Sequence, residues 1–189
     1  VNMTPALVCI PSVFDLDFVG YLDVIYVVDM AGQVFNWVVN EIGEDRVNDA
    51  SSLRTQPNWP FKRFFTADVE TISGDGYYKN LFFPPAGALV GGKLWLAFGS
   101  GERRNLAFRG VANEDENNRF YVVNDPDPFE RAAVPIATLD ETNLTDITGD
   151  EDGATVTGQG YFFKAVDGEK FVTNVEIFEG HVLEASFTP

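Results

Sequence analysis

Nowhere along this chain do apolar residues recur at helical spacing for more than two turns. What recurs instead is a short β-prone run closed off by glycine, proline, asparagine or aspartate, as at residues 24–28, 33–39, 61–67, 94–99 and 120–123. With 17 glycines and 10 prolines spread over 189 residues, the elements between turns must be short. That punctuation points to an all-β fold. The 17 phenylalanines, 6 tyrosines and 3 tryptophans suit pleated sheets, and a hydrophobic share of 45% fills one substantial core. About a dozen strands are expected, in antiparallel four-stranded sheets. At ~40 to 45 residues per blade they make about three blades of a β-propeller. A closed propeller needs more, so residues 1–189 read as a single all-β unit of a larger propeller; a sandwich whose hairpins resemble blades is the alternative.

Within this frame, residues 6–10 are expected to be a strand between Pro5 and Pro11, and residues 77–83 another, stopped by Pro84 and Pro85. Glycines mark turns around residues 88–90. The nearly continuous apolar run 94–99 is expected to be buried on both faces. Residues 40–58 read as a surface excursion and 137–159 as a long loop. Residues 160–188 read as an antiparallel meander of four short strands. The apolar stretches 94–99 and 181–188 are expected at sheet edges that another chain or segment covers.

Charge narrows the partners. Thirteen basic against 29 acidic residues give a net charge of −16, which repels nucleic acid and anionic membranes, and no apolar run approaches the length of a membrane span. Such an acidic surplus serves either solubility or cation binding. Cys9, the one cysteine, sits in an apolar run and reads as a core residue; His181, the one histidine, has no evident acid or nucleophile beside it. No signal peptide stands at the start, and Val1 in place of an initiator Met suggests a chain cut from a longer one.

One stretch carries chemistry. Asp15, Asp17 and Asp23 occupy the first, third and ninth places of a short loop with Gly20 at the sixth, the front half of an EF-hand-like cation loop; the Tyr21 carbonyl at the seventh place completes the expected ligand set for Ca²⁺. Val19 stands where a fifth-place aspartate or asparagine would add an oxygen, so such a site is weak. Turn capping by Asp15 and Asp23, with no metal, is the competing reading. Asp146 to Gly153 is also acidic but lacks the sixth-place glycine, and it reads as a solvated turn.

Several motifs follow one another in order: Tyr26-Val-Val-Asp29-Met-Ala-Gly32-Gln-Val34-Phe35 after the acidic loop, Phe98-Gly-Ser-Gly-Glu-Arg103, and Gly160-Tyr-Phe with Gly168-Glu-Lys-Phe171. In this order they resemble the C-terminal β-propeller of the PilY/PilC family, bacterial proteins carried at the tip of type IV pili. Val28 departs from that family's glycine, and Val19 departs from its cation loop. The resemblance implies a non-enzymatic module for pilus biogenesis and adhesion, extracellular at the cell surface or pilus tip or associated with the outer membrane. Its implied partners are the rest of the same propeller in its parent protein, pilus subunits, and a host or surface ligand.

Two other classes compete. A generic integrin-like, FG-GAP-type calcium-binding propeller shares the acidic loop and hairpin but not the order of the later motifs. A quinoprotein-dehydrogenase-like enzyme needs repeated tryptophan-docking segments, whereas Trp37, Trp59 and Trp95 stand in unlike contexts. Gly99-Ser-Gly101 lacks the following helix of a nucleophile elbow.

Overall fold

Asp29 decides where the first hairpin turns. Its Oδ1 accepts the amide hydrogens of Ala31 (2.9 Å) and Gln33 (3.0 Å), and its Oδ2 accepts from the Gln33 side chain (3.0 Å). An aspartate bonded to the backbone two residues on reverses the chain by itself. The flanking apolar runs then pair. The computed structural model describes residues 5–39, 61–72, 75–107, 117–129, 137–150 and 154–189. In it, β1 (Ser12–Phe14), β2 (Val24–Val28), β3 (Gln33–Val38) and β4 (Phe61–Thr66) form one antiparallel sheet in the order β1-β2-β3-β4. The expected excursion at 40–58, Trp59, the turn at Ser73-Gly74, and residues 151–153 of the second acidic stretch lie outside the described residues.

A short hairpin, β5 (Glu70–Ile72) and β6 (Asp75–Tyr77), leads to the second sheet. That sheet holds β7 (Ala86–Val90), β8 (Lys93–Gly99), β9 (Arg119–Asp125), β10 (Thr145–Asp146) and β11 (Gly160–Lys164), in the order β10-β11-β9-β8-β7. Every pair in it is antiparallel except β10 with β11. A 3₁₀ turn, Glu141–Asn143, capped by Asp140, precedes β10; among the described residues there is no α-helix, and none long and apolar enough to cross a membrane. The fold is therefore all-β, with blade-sized sheets of four and five strands. Last come β12 (Lys170–Phe171), β13 (Glu176–Phe178), β14 (His181–Leu183) and β15 (Ser186–Phe187).

Side-chain alternation in β8 and β9 explains the layering. Leu94, Leu96 and Phe98, with Tyr121 and Val123, face the first sheet and join its core with Tyr26, Val34 and Phe65. Ala97, Phe120 and Val122 point the other way and pack with Phe171 and Val175. The second sheet is thus covered on both faces, as the unbroken apolar run 94–99 requires. Edge-to-face rings join the first two layers: Phe65 meets Tyr121 at 5.1 Å and Phe98 at 5.6 Å. Such pairs add to the stabilisation from burial alone.

Four expectations need correction. Residues 6–10 are not a strand; Leu7, Val8 and Ile10 are exposed, and the segment is tied down by Met30 N–H to Ala6 O (3.1 Å). Of the strand expected at 77–83, Tyr77 alone is in a ladder, as the end of β6, and residues 78–83 are not. There Leu81 is buried and its N–H reaches Asp29 O (3.3 Å) at the first hairpin, so the chain plugs the core instead of joining a ladder. Of the turns expected around residues 88–90, the one at Gly91-Gly92 is present, but Gly87 lies within β7: a Cβ there would stand 2.5 Å from the Phe14 ring, so this glycine lets β1 lie close.

The fourth correction concerns edges and the final meander. Run 94–99 lies between β7 and β9 and presents no edge; nor is 181–188 one strand. β11 pairs with β9, β13 with β14, and β12 with β15, so the last four strands are nested pairs. Backbone from elsewhere covers the β4 edge: Thr66 N–H reaches Leu139 O (2.9 Å) and Leu139 N–H reaches Phe64 O (2.9 Å).

Candidate functional site

Pairing of β1 with β2 closes the acidic loop. Phe14 stands opposite Val24, and Asp23 N–H donates to Phe14 O (2.9 Å), so the residues between must turn back within one short span. Phe18 (φ 61°) and Gly20 (φ 88°) both take the left-handed conformation. Glycine does so freely; a phenylalanine does so at a cost, and the surrounding loop holds it there.

This turn brings Asp15, Asp17 and Asp23 together, with carboxylate oxygens within 4.8 Å of one another. Among the described residues they are the one trio of histidine, cysteine or acidic side chains so placed. Part of their bonding capacity goes to the loop itself. Asp23, fully buried, accepts from Leu16 N–H (2.6 Å) and Asp17 N–H (3.3 Å). Asp17 accepts from Val19 N–H (3.2 Å), and Asp15 Oδ2 from Gly20 N–H (2.7 Å). The capping expected of Asp15 and Asp23 is therefore present, and it coexists with the convergence. Asp15 Oδ1 is shielded from solvent and has no hydrogen-bond partner.

Partial burial raises the Asp17 carboxyl above the ordinary aspartate range. The Val19 N–H opposes this, and the charges of Asp23 and Asp15 add to it. Crowded carboxylates of this kind suit a hard cation with oxygen ligands. Tyr21 lies on the same loop with its side chain exposed, which leaves its carbonyl as the group the spacing offers. Val19 is 58% exposed at the loop tip beside an exposed Phe18.

The other candidates have structural partners. Cys9 is half-buried against the core, and burial pushes its thiol up, away from the thiolate form. Ser100 is buried; its hydroxyl donates to Asn118 Oδ1 (3.2 Å) and accepts from Arg119 N–H (2.9 Å). His181 is exposed, its Nδ1 3.2 Å from Glu179 O. Asp146 caps a turn, accepting from Thr148 N–H (2.9 Å), as expected of a solvated turn. The glycines of the Phe98-Gly-Ser-Gly motif have a packing role: a Cβ on Gly99 would fall on the Phe171 side chain, and one on Gly101 would stand 2.9 Å from Lys170 Cβ.

Two buried polar clusters were not foreseen. Arg119 pairs with Glu141 beneath the Tyr121 hydroxyl, and Asp125 accepts from Tyr26 (2.6 Å) and Asn36 (3.4 Å) across the two sheets. The one sequence signal for the first is Arg119 itself, a charge opening the apolar run Phe120-Tyr-Val-Val123.

No protein-family model matches the chain, and no curated protein does. Among solved structures, the crystal structure of the Pseudomonas aeruginosa PilY1 C-terminal domain superposes with a TM-score of 0.69 at 17% sequence identity, over 95% of this chain and 44% of that one. The chain thus spans less than half the length of that crystallised domain, and the likeness is one of fold.

Proposed function

We propose that this chain is a non-enzymatic module of a pilus-tip or cell-surface protein of the PilY type, working in type IV pilus biogenesis and adhesion as part of a larger β-propeller. The reading is carried by the likeness of fold to the PilY1 C-terminal domain across 95% of the chain. In-order motifs support it further. Stacked sheets give such a module a rigid body from which loops meet a surface ligand outside the cell. Deleting the coding segment in its own host tests this. Surface pili and attachment should fall while pilin levels hold, and normal piliation with normal attachment would refute the role.

The acidic loop belongs to the same reading as a calcium site held by Asp15, Asp17, Asp23 and the Tyr21 carbonyl. Calcium relieves the repulsion among the three carboxylates and gives Asp15 Oδ1 a partner. With Val19 supplying no oxygen, the affinity is at the weak extracellular end, roughly 10⁻⁴ to 10⁻³ M. At about 1 mM calcium that adds ~0.4 to 1.4 kcal/mol of stability. In calorimetric titration, Val19→Asp should bind more tightly than the parent, since the exposed tip admits a carboxylate without repacking. Ion and proton compete for Asp17, so affinity should drop as pH falls through its raised pKa. If neither form takes up calcium, the loop is only a turn.

A further inference from the structure

Val24, Tyr26 and Val34 of the first sheet point into the core shared with the second, so the residues that alternate with them face the other way. Register sets four of these in one row. Val13 stands opposite Ile25, Ile25 opposite Trp37, and Trp37 opposite Phe61, so the row crosses all four strands. Beside it runs a second row, Val27, Phe35 and Arg63. Neither core takes in any of these side chains. Phe61 stacks on Phe35 (5.5 Å), which is fully buried, and meets Trp37 edge to face (5.9 Å). Toward β1 the row reaches solvent: Val13 is 57% and Trp37 37% exposed, with Ile25 half-buried between them.

Charge sets this face apart from a solvated one. The chain carries 29 acidic residues, yet none lies in either row. The single charge there is Arg63, whose Nη1 donates to Gln33 Oε1 (2.8 Å). At the other end of the stack, the outward side of β13 and β14 mixes Glu176 and His181 with Phe178 and Leu183, as an ordinary surface does. A sheet that is apolar on both faces is an inner layer. The second sheet has a core on each face, whereas among the described residues the first has one on its inner face only.

We propose that the outer face of the first sheet is where a further β-sheet of the same parent propeller packs, laid face to face on the row from Val13 to Phe61. This rests on the reading of the chain as part of a larger propeller. Two observations choose that partner. The PilY1 domain that superposes on 95% of this chain is more than twice as long, so a protein of this fold has the chain to supply another layer. A second copy of residues 1–189 would bring a further −16 to the contact, and like charge disfavours that pairing. Sheets pack about 10 Å apart, a gap that Val13, Ile25 and Trp37 bridge by interdigitating with apolar side chains of the facing sheet.

The test is hydroxyl-radical footprinting of the full-length parent protein, read residue by residue by mass spectrometry against the same protein in urea. On a bare face, Trp37 at 37% exposure would be labelled only about threefold more slowly than when unfolded; beneath another sheet it should be labelled at least ~20-fold more slowly. Val13→Lys should lower the thermal midpoint of the parent by about 3 °C or more, because it buries a charge between sheets, whereas Val13→Leu should leave it within about 1 °C. On a bare edge strand the lysine would be harmless. Labelling of Trp37 at the bare-face rate, or a harmless Val13→Lys, would overturn the packing. Protection that appears only at concentrations where the parent dimerises would overturn it too, in favour of a second copy. The two readings fail separately: an unprotected Trp37 in a parent that still supports piliation removes the packing alone, and normal piliation after deletion removes the pilus role alone.

Discussion

Arg119→Met should destabilise the chain by about 3–5 kcal/mol, because it strands a charge in the core. The guanidinium of Arg119 pairs with Glu141 where the two side chains are only 5% and 6% exposed. It also lies 5.5 Å over the Phe162 ring. Glu141 in turn accepts from the Tyr121 hydroxyl (2.7 Å) and Asp68 N–H (3.2 Å). Burial pushes the Tyr121 pKa up, so its hydroxyl stays a donor. Those two bonds hold the carboxylate in place but do not neutralise it. At ~2–4 °C per kcal/mol for a chain of this size, the thermal midpoint should drop by roughly 6–20 °C. Arg119→Met with Glu141→Leu should recover most of the loss, since an apolar pair of similar volume leaves no charge behind. Urea unfolding of the single and double variants decides it. A single-variant loss under about 1 kcal/mol, or a double variant no better than the single, would show that the pair does not behave as a buried ion pair.

Phe65→Ala should be comparably severe for an unrelated reason. Phe65 is fully buried where the two sheets meet, with Phe98 and Tyr121 against its ring. Removing the ring from a rigid sheet-on-sheet interface leaves a void that neighbouring backbone cannot fill, at a cost of about 3–5 kcal/mol. Phe65→Leu, which keeps most of the volume, should cost less than about 1.5 kcal/mol. The urea midpoint should move with an unchanged slope. If alanine and leucine prove equally mild, the interface relaxes around the site and the rings are not a rigid joint.

Local chemistry made part of this fold legible in the sequence. Val24–Val28, the Asp29 turn and the strand from Gln33 could be read directly, because one side chain and a β-branched run specify them without distant help. Run 94–99 was legible as a strand covered on both faces but not as a central one, since its neighbours β7 and β9 are chosen by pairing across the chain. Glycine misled at residue 87, where it marks the close approach of Phe14 and not a turn. Apolar composition misled at residues 6–10, where Leu7, Val8 and Ile10 stay in solvent and only Cys9 packs against the core. The convergence of Asp15, Asp17 and Asp23 was readable because the ligands share one loop. Arg119 with Glu141, and the row from Val13 to Phe61, were not, because only the folded sheets bring those groups together.

The nesting of the last four strands sets an order of assembly. Glu179 (φ 49°) and Gly180 (φ 79°) form a two-residue turn with both angles positive, a hand that matches the twist of paired strands, so β13 and β14 can zip locally in ~1–10 μs. Once they have, Phe171 and Ser186 are already near one another, and closing β12 onto β15 costs far less chain entropy than it would from an open loop. Phe171, whose N–H also reaches Ser100 O (3.1 Å), then has β15 on its flank as it lies over Gly99 and against Phe120. The Glu179-Gly180 turn thus eases the pairing that backs the aromatic wall of Phe171 and Phe120, although it forms no part of that wall.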